Sequence, residues 1–190
     1  MTTDRERWDE RYRGELGRRS EPVDPFVIQA LEHARALRLA SGARPEAVDL
    51  AAGTGRHALG LARAGFRVEA WDVSPVALGI LAERAKEAGL AVARREVDLV
   101  DPGLPLEPRF DLAVSVDFLD RPFWGRLREL VRPGGFVIVR TFTRDWPGAK
   151  PPPVYRLEPG EIAGGLAGFE THLVREDGGR AGLLGRRSGR

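Results

Sequence analysis

The sequence contains no cysteine, which excludes disulfides, thiolate metal sites and cysteine nucleophiles together. No apolar run approaches the roughly 20 residues that a helix needs to span a bilayer, so no membrane partner is expected. The opening MTTDRERWDE is charged from its fourth residue and shows no secretory apolar stretch, so the expected location is cytoplasmic. Charge of one sign is also scarce: 30 Lys and Arg stand against 28 Asp and Glu, for a formal net charge of +2. The pI near 9.5 follows from basic charge that is mostly arginine, which is a poor electrostatic footprint for nucleic acid. Arg186, Arg187 and Arg190 form the main local excess of basic charge.

What is present is a chain of 190 residues, within the usual range for one domain. The expectation is a single domain, 1–190. Its N-terminal helices, 1–45, form a cap, and 46–190 form the core, with 144–155 as a candidate lid. Asp24-Pro25 reads as a cap and first turn for a helix with Val27, Leu31, Ala34 and Leu37 on one face, stopped by Ser41-Gly42. Among the first twenty residues arginines alternate with acids, which reads as a solvated helical face.

From residue 47 strands and helices alternate. Strands are expected near 47–51, 66–71, 91–97, 110–116 and 136–143, and helices at 56–64, 75–88 and 120–131, with Arg132-Pro-Gly-Gly135 as a turn. Such alternation predicts an α/β fold with a parallel, doubly wound sheet and helices on both faces. A short helix near 159–166 and two last strands, about 169–175 and 181–187, follow. Joined by Glu176-Asp-Gly-Gly179, those strands form a hairpin, so one edge of the sheet contains an antiparallel pair.

The stretch VDLAAGTGRH, Val48 to His57, is where chemistry enters. An apolar strand running into Gly53-Thr-Gly55 and then a helix brings bare backbone against a ligand, and with Ala58 it fits a nucleotide-binding fingerprint. A tight turn without a ligand fits the glycines as well. Asp49 narrows the choice, because a carboxylate beside a diphosphate repels it, whereas a ligand carrying an ammonium and a sulfonium gains from it. Asp72 ends the second strand, where a carboxylate takes both hydroxyls of a ribose. Asp98-Leu99 follows the third strand, with Asp98 placed to accept from an adenine amino group and Leu99 to cover the ring.

With Asp49, Ala51, Gly53 and Gly55 in the first motif, Asp72 in AWDVSP, Asp98 in REVDL, the strand FDLAVSV and the segment LVRPGGFVIV, the sequence resembles the class I S-adenosylmethionine-dependent methyltransferases. Ala51 stands where the usual pattern has a glycine. The resemblance runs from about Val48 to Thr143 and implies a Rossmann-like seven-stranded sheet whose last strand inserts antiparallel. It implies S-adenosylmethionine as cofactor, with Asp49, Ala51, Gly53, Gly55, Asp72, Val73, Asp98, Leu99 and Ser115 at its site, and no metal. Trp8-Asp-Glu-Arg-Tyr12 ahead of the core is similar to tellurite-resistance and thiopurine-type small-molecule methyltransferases. That similarity implies that Trp8, Arg11 and Tyr12 close over the cofactor; packing alone also accounts for Trp8 and Tyr12.

Methyl transfer from a sulfonium asks mainly for alignment and exclusion of water, so no catalytic residue is required. His57 and Asp117 are the candidates if an acceptor must lose a proton; His33 and His172 read as surface and structural residues. Phe118, Phe142, Trp146 and Tyr155 are candidates for an apolar acceptor pocket. Asp120-Arg-Pro-Phe123 partly matches an amino-methylating motif, but a helix cap with an early proline explains it better. A small-molecule acceptor is therefore the expected partner. A nucleic-acid or protein methyltransferase, and a cofactor-binding domain without catalysis, stay open.

Overall fold

The computed structural model describes residues 3–19, 21–37 and 44–189. Its helices are α1 Asp4–Arg13, α2 Glu15–Arg18, α3 Pro25–Ala36, α4 Arg56–Arg63, α5 Pro75–Glu87 and α6 Arg121–Gly125. Its strands are β1 Glu46–Leu50, β2 Arg67–Asp72, β3 Val92–Glu96, β4 Phe110–Val116, β5 Val131–Phe142, β6 Phe169–Asp177 and β7 Arg180–Arg187. They form one seven-stranded sheet in the order β3-β2-β1-β4-β5-β7-β6. Neighbours from β3 to β5 run parallel, and β7 lies antiparallel between β5 and β6. This is the Rossmann-like, doubly wound sheet with the inserted antiparallel strand that the sequence predicts.

The central strands explain their own position. β4 is buried at six of its seven residues, as a parallel strand covered on both faces must be. One apolar layer joins Phe26 of α3, Leu61 of α4 and Leu78 and Leu81 of α5 to Leu112, Val114 and Ile138. The other joins Phe123 and Trp124 of α6 to Leu50, Trp71, Val139 and Leu157. Each fully buried Leu or Phe contributes roughly 1.5–3 kcal/mol and each cap about 1 kcal/mol, so the layers hold the sheet and the caps set where helices begin. Asp24 accepts from the Phe26 N–H ahead of Pro25, and Ser74 accepts from the Ala77 N–H ahead of Pro75.

Four expectations are corrected. The helix expected over 120–131 ends at Gly125, and a 3-10 turn Leu127–Glu129 carries the chain to β5. Leu127 and Leu130 are three residues apart and both are buried, which a 3-10 turn satisfies as well as an α-helix. The turn expected at 132–135 is instead a bulge inside β5. Phe110 pairs with Val131 but Leu112 with Phe136, and the irregularity absorbs Pro133, which has no N–H, and Gly134 at φ 80°. The helix expected near 159–166 is a single 3-10 turn, Glu161–Gly164, between Gly160 and Gly165, both left-handed. The face of alternating arginines and acids expected among the first twenty residues is not wholly solvated, since Asp9 is buried. The expected stop at Ser41-Gly42 and the last residue, Arg190, lie outside the described residues.

Candidate cofactor and acceptor site

The turn after β1 is built on three left-handed residues, Ala51 at φ 54°, Gly53 at φ 54° and Gly55 at φ 86°. Ala51 thus takes a positive φ that glycine adopts more readily. Gly55 is the N-cap of α4 and has no side chain to cap with, so the strand supplies one: the Ala58 N–H donates to Asp49 Oδ2 at 2.8 Å. Asp49 is only 1% exposed. Burial pushes its pKa up to about 7, against the Ala58 N–H and Arg56, while the nearby Asp72 charge pushes the same way as burial.

Asp72 closes the turn from the other side. The Gly53 N–H donates to its Oδ2 at 2.7 Å and the Ser74 N–H to its Oδ1 at 2.9 Å. Burial raises its pKa and these backbone donors lower it. A Cβ on Gly55 would stand 2.0 Å from Leu81 Cδ1, so glycine is required there by close packing of α5 under the turn.

The N-terminal segment lies over this turn. Tyr12 stacks on Trp8 with centroids 5.8 Å apart, and Arg11 lies 4.3 Å from the Trp8 ring centroid. A Cβ on Gly53 would meet the Tyr12 hydroxyl at 2.6 Å; burial first and then Asp72 raise that phenol above its ordinary range. Asp9 anchors α1 to the start of α5, accepting from Ser74 Oγ at 2.5 Å and from the Val76 N–H at 3.4 Å. Arg84 fastens the same segment, donating to Thr54 Oγ1 at 2.6 Å and to the carbonyls of Gly17 and Arg19 at 3.0 and 2.7 Å.

Beyond the end of β4, Asp117 takes a left-handed φ of 61° and its N–H donates to the Arg140 carbonyl at 2.8 Å. Arg56 Nη2 donates to its carboxylate at 2.7 Å, and Arg180 donates to the other oxygen. Burial pushes Asp117 up while Arg180 and Arg56 pull it down. His57 is buried, and its Nε2 lies 3.4 Å from the Asp24 N–H that donates to it. Burial, with Arg56 and Arg180 beside it, lowers His57 to about 3. A neutral imidazole with its lone pair engaged is a weak proton acceptor, and the Asp117 carboxylate has both oxygens held by guanidiniums.

The other sequence candidates are placed unevenly. Asp98 is exposed and its Oδ1 accepts from the Val100 N–H at 3.1 Å, while Leu99 is buried. Val73 is half-buried beside Asp72. Ser115 is fully buried and its Oγ has no partner among the described residues. Phe118 packs edge-on against Phe123 at 6.0 Å and Phe142 against Trp146 at 4.9 Å, whereas Tyr155 is exposed. His33 is exposed, and His172 is half-buried 6.4 Å from the Phe136 ring. Two cavities of about 460 and 290 Å³ lie elsewhere, one along β2, β3 and the end of α5, the other against Trp71 and Phe110.

Several charged residues escape the motif reading: Asp9, Arg84, Arg140, Arg156 and Arg180. Arg156 bonds carbonyls of the adjacent loop, which no side-chain pattern marks, and the bonding partners of the others lie far away along the chain. Arg56 alone had a signal, its place directly after Gly55.

The left-handed glycine turn, the buried carboxylates closing it at the ends of β1 and β2, and an unpartnered hydroxyl at the end of β4 suit an adenosyl ligand that carries an amino-acid tail. With the β3-β2-β1-β4-β5-β7-β6 order, they define the class of Rossmann-like methyltransferase folds. The family described as "Methyltransferase domain" matches residues 47–135, the stretch that carries the resemblance to the class I S-adenosylmethionine-dependent methyltransferases, and the match supports S-adenosylmethionine as the cofactor.

A curated relative, "Ubiquinone biosynthesis O-methyltransferase" of Alkalilimnicola ehrlichii, is 32% identical over 103 residues, 52% of this chain. The matched stretch spans 42% of that relative. Solved structures share the fold. One titled for conversion of a disulfide bond into a thioacetal group during echinomycin biosynthesis has a TM-score of 0.72 at 23% identity, covering 97% of this chain and 92% of its own. TehB from Haemophilus influenzae gives 0.71 at 16%, covering 95% and 67%. Magnesium protoporphyrin IX methyltransferase from Synechocystis PCC 6803, with bound S-adenosylmethionine, gives 0.66 at 17%, covering 99% of both chains.

Proposed function

We propose that this chain transfers a methyl group from S-adenosylmethionine to a small-molecule acceptor. The observation that carries the reading is the bond from the Gly53 N–H to Asp72. It fixes the glycine turn against the one carboxylate at the end of β2, with the Tyr12 hydroxyl over that same glycine. When bound, the cofactor supplies an electrophilic methyl on a sulfonium leaving group. The residues of the chain align and exclude water: Asp72 takes the ribose, Asp49 and the turn face the methionine end, and Trp8, Arg11 and Tyr12 cover it from the N-terminal side. Leu99 covers the base, and Asp98, whose Oδ1 holds the Val100 N–H, offers its remaining lone pairs to the adenine amino group.

A small acceptor is favoured by what flanks the site in this reading: α1 lies over the glycine turn, with the Tyr12 hydroxyl against Gly53, and the 144–155 loop, with Trp146 packed on Phe142, serves as a lid. The curated relative named for ubiquinone biosynthesis and the protoporphyrin methyltransferase structure support an acceptor of this kind. A cytoplasmic setting belongs to the same reading; no helix among the described residues is long and apolar enough to cross a membrane.

Calorimetry with S-adenosylmethionine, S-adenosylhomocysteine and NADH tests the assignment. Asp72→Ala should weaken the adenosyl ligands by roughly 1–3 kcal/mol, the scale for unpairing buried polar groups. Binding of NADH without either adenosyl ligand would overturn it.

A further inference from the structure

At the carboxyl end of β4 the start, middle and end of the chain bring four carboxylates and four guanidiniums together. Arg56 spans Glu21 and Asp117 at 2.5 and 2.7 Å. Arg180 spans Asp24, at 2.8 Å, and Asp117. Arg140 reaches Asp177 at 2.9 Å with Nη2, and Asp177 is shared with Arg175. Formal charge therefore cancels, and the unsatisfied hydrogen bonds decide what the cluster lacks. Among the described residues, the buried side-chain atoms here without a hydrogen-bond partner are Arg140 Nε, Arg140 Nη1 and Arg180 Nε. Arg140 Nε does lie 3.4 Å from Asp24 Oδ1, a charge contact without hydrogen-bond alignment.

All three unsatisfied atoms are donors, and no carboxylate oxygen of the cluster is among them. Arg140 is 8% exposed, so bulk water does not compensate its idle N–H groups, and such groups cost free energy until an acceptor meets them. An ammonium would add donors to a site already in surplus. A carboxylate supplies lone pairs in the planar arrangement that guanidinium groups match.

Apolar surface adjoins the donors: Arg180 lies 5.0 Å from the Phe142 ring centroid and Arg140 5.2 Å from that of Phe26. Phe142 in turn packs on Trp146 of the 144–155 loop. Arg180 keeps 18% of its side chain accessible although its Nε is buried, so an entering acid must shift that side chain to meet the donor.

We propose that the acceptor is a small organic acid with an apolar or aromatic body, its carboxylate held by Arg180 and Arg140 and its body against Phe142 and Trp146. This rests on the methyltransferase reading above and names its substrate class. Arg140 and Arg180 are the specificity-determining residues; neither is given a role in the methyl-transfer step.

The test uses protein loaded with S-adenosylhomocysteine, and matched probes: benzoate, phenylacetate and salicylate, their neutral amides, and benzylamine. Calorimetry should show the acids binding at least 30-fold tighter than the amides. Labelled-methyl transfer from S-adenosylmethionine should follow the same order for those probes that carry a reactive group. Arg180→Gln should remove the preference by weakening the acids alone. Arg180→Lys, which keeps the charge and its salt bridges, guards against loss of fold and should leave a preference below 10-fold.

Equal binding of acids and amides, or tighter benzylamine, by protein that still holds S-adenosylhomocysteine overturns the anionic acceptor and leaves the methyltransferase reading standing. Binding of no acid at millimolar concentration, or an acid preference unchanged in both Arg180 variants, overturns it too. Failure to bind either adenosyl ligand removes the underlying reading, and this one with it.

Discussion

Asp49 combines two duties that oppose each other electrostatically. Its carboxylate caps α4 through Ala58, which favours the ion, yet burial holds its pKa near 7. In the unfolded chain an aspartate titrates near 3.9, so between about pH 4 and pH 7 the folded state binds the extra proton. The stabilisation from that proton is full below the unfolded value and lost as pH rises through 7. Asp49→Asn keeps an acceptor oxygen for Ala58 and cannot ionise. Its melting temperature relative to the parent protein should therefore climb from pH 5 to pH 8, and a flat or falling difference contradicts the assignment. The same carboxylate predicts a signature of cofactor binding. A ligand bearing an ammonium and a sulfonium favours the ionised form, so binding at pH 6.5 should release protons, read as a heat that changes with the ionisation enthalpy of the buffer. Asp49→Asn should lose that dependence.

At the scale of elements, the 144–155 loop shows how a proline-rich connection acquires shape. Arg156 is buried and gives its guanidinium to three carbonyls of the loop, Trp146 at 2.9 Å, Gly148 at 2.6 Å and Pro151 at 2.8 Å. Trp146 Nε1 donates to the Lys150 carbonyl at 2.9 Å. The prolines limit what the loop can do, and Arg156 selects one arrangement. Arg156→Ala should leave global unfolding in urea changed by less than the local effect. Amide exchange in 144–155 should rise by one to two orders of magnitude, as expected when hydrogen bonds to a charged donor worth about 1.5–3 kcal/mol are lost. Exchange unchanged in that segment would show that the loop is held by other contacts. Elements with strong periodicity or caps, such as β4 and the helices begun by Asp24-Pro25 and Ser74-Pro75, were legible from the chain alone. The 120–131 segment was not, because Phe123, Leu127 and Leu130 suit an α-helix and a 3-10 turn alike; the bulge pairing Phe110 with Val131 draws that segment into β5.

At the scale of the molecule, the strand order and the glycine turn follow from local signals, whereas the ionic cluster does not. Glu21, Asp24, Arg56, Asp117, Arg140, Asp177 and Arg180 come from five separate stretches, and only the assembled sheet makes them neighbours. Asp24 read as nothing more than a helix cap, yet it also lies between Arg140 and Arg180. The cluster therefore ties the N-terminal helices to the C-terminal hairpin across the end of the sheet, and its energetics are asymmetric. Removing the exposed partner Glu21 deletes one contact to Arg56 at the surface, which is worth at most about 1 kcal/mol. Removing Asp24 strips a buried acceptor from Arg180 and a charge partner from Arg140, and uncaps α3 at Phe26. Breaking a buried pair from one side costs about 3–5 kcal/mol, which exceeds the roughly 1 kcal/mol of the cap alone. Urea unfolding of Asp24→Ala should accordingly show a loss of about 3–5 kcal/mol, and Glu21→Ala a loss of about 1 kcal/mol or less. Asp24→Asn should fall between them, since it keeps the cap but not the charge. If Asp24→Ala costs no more than the cap, the guanidiniums have found other partners, and the cluster does not join the two ends of the chain.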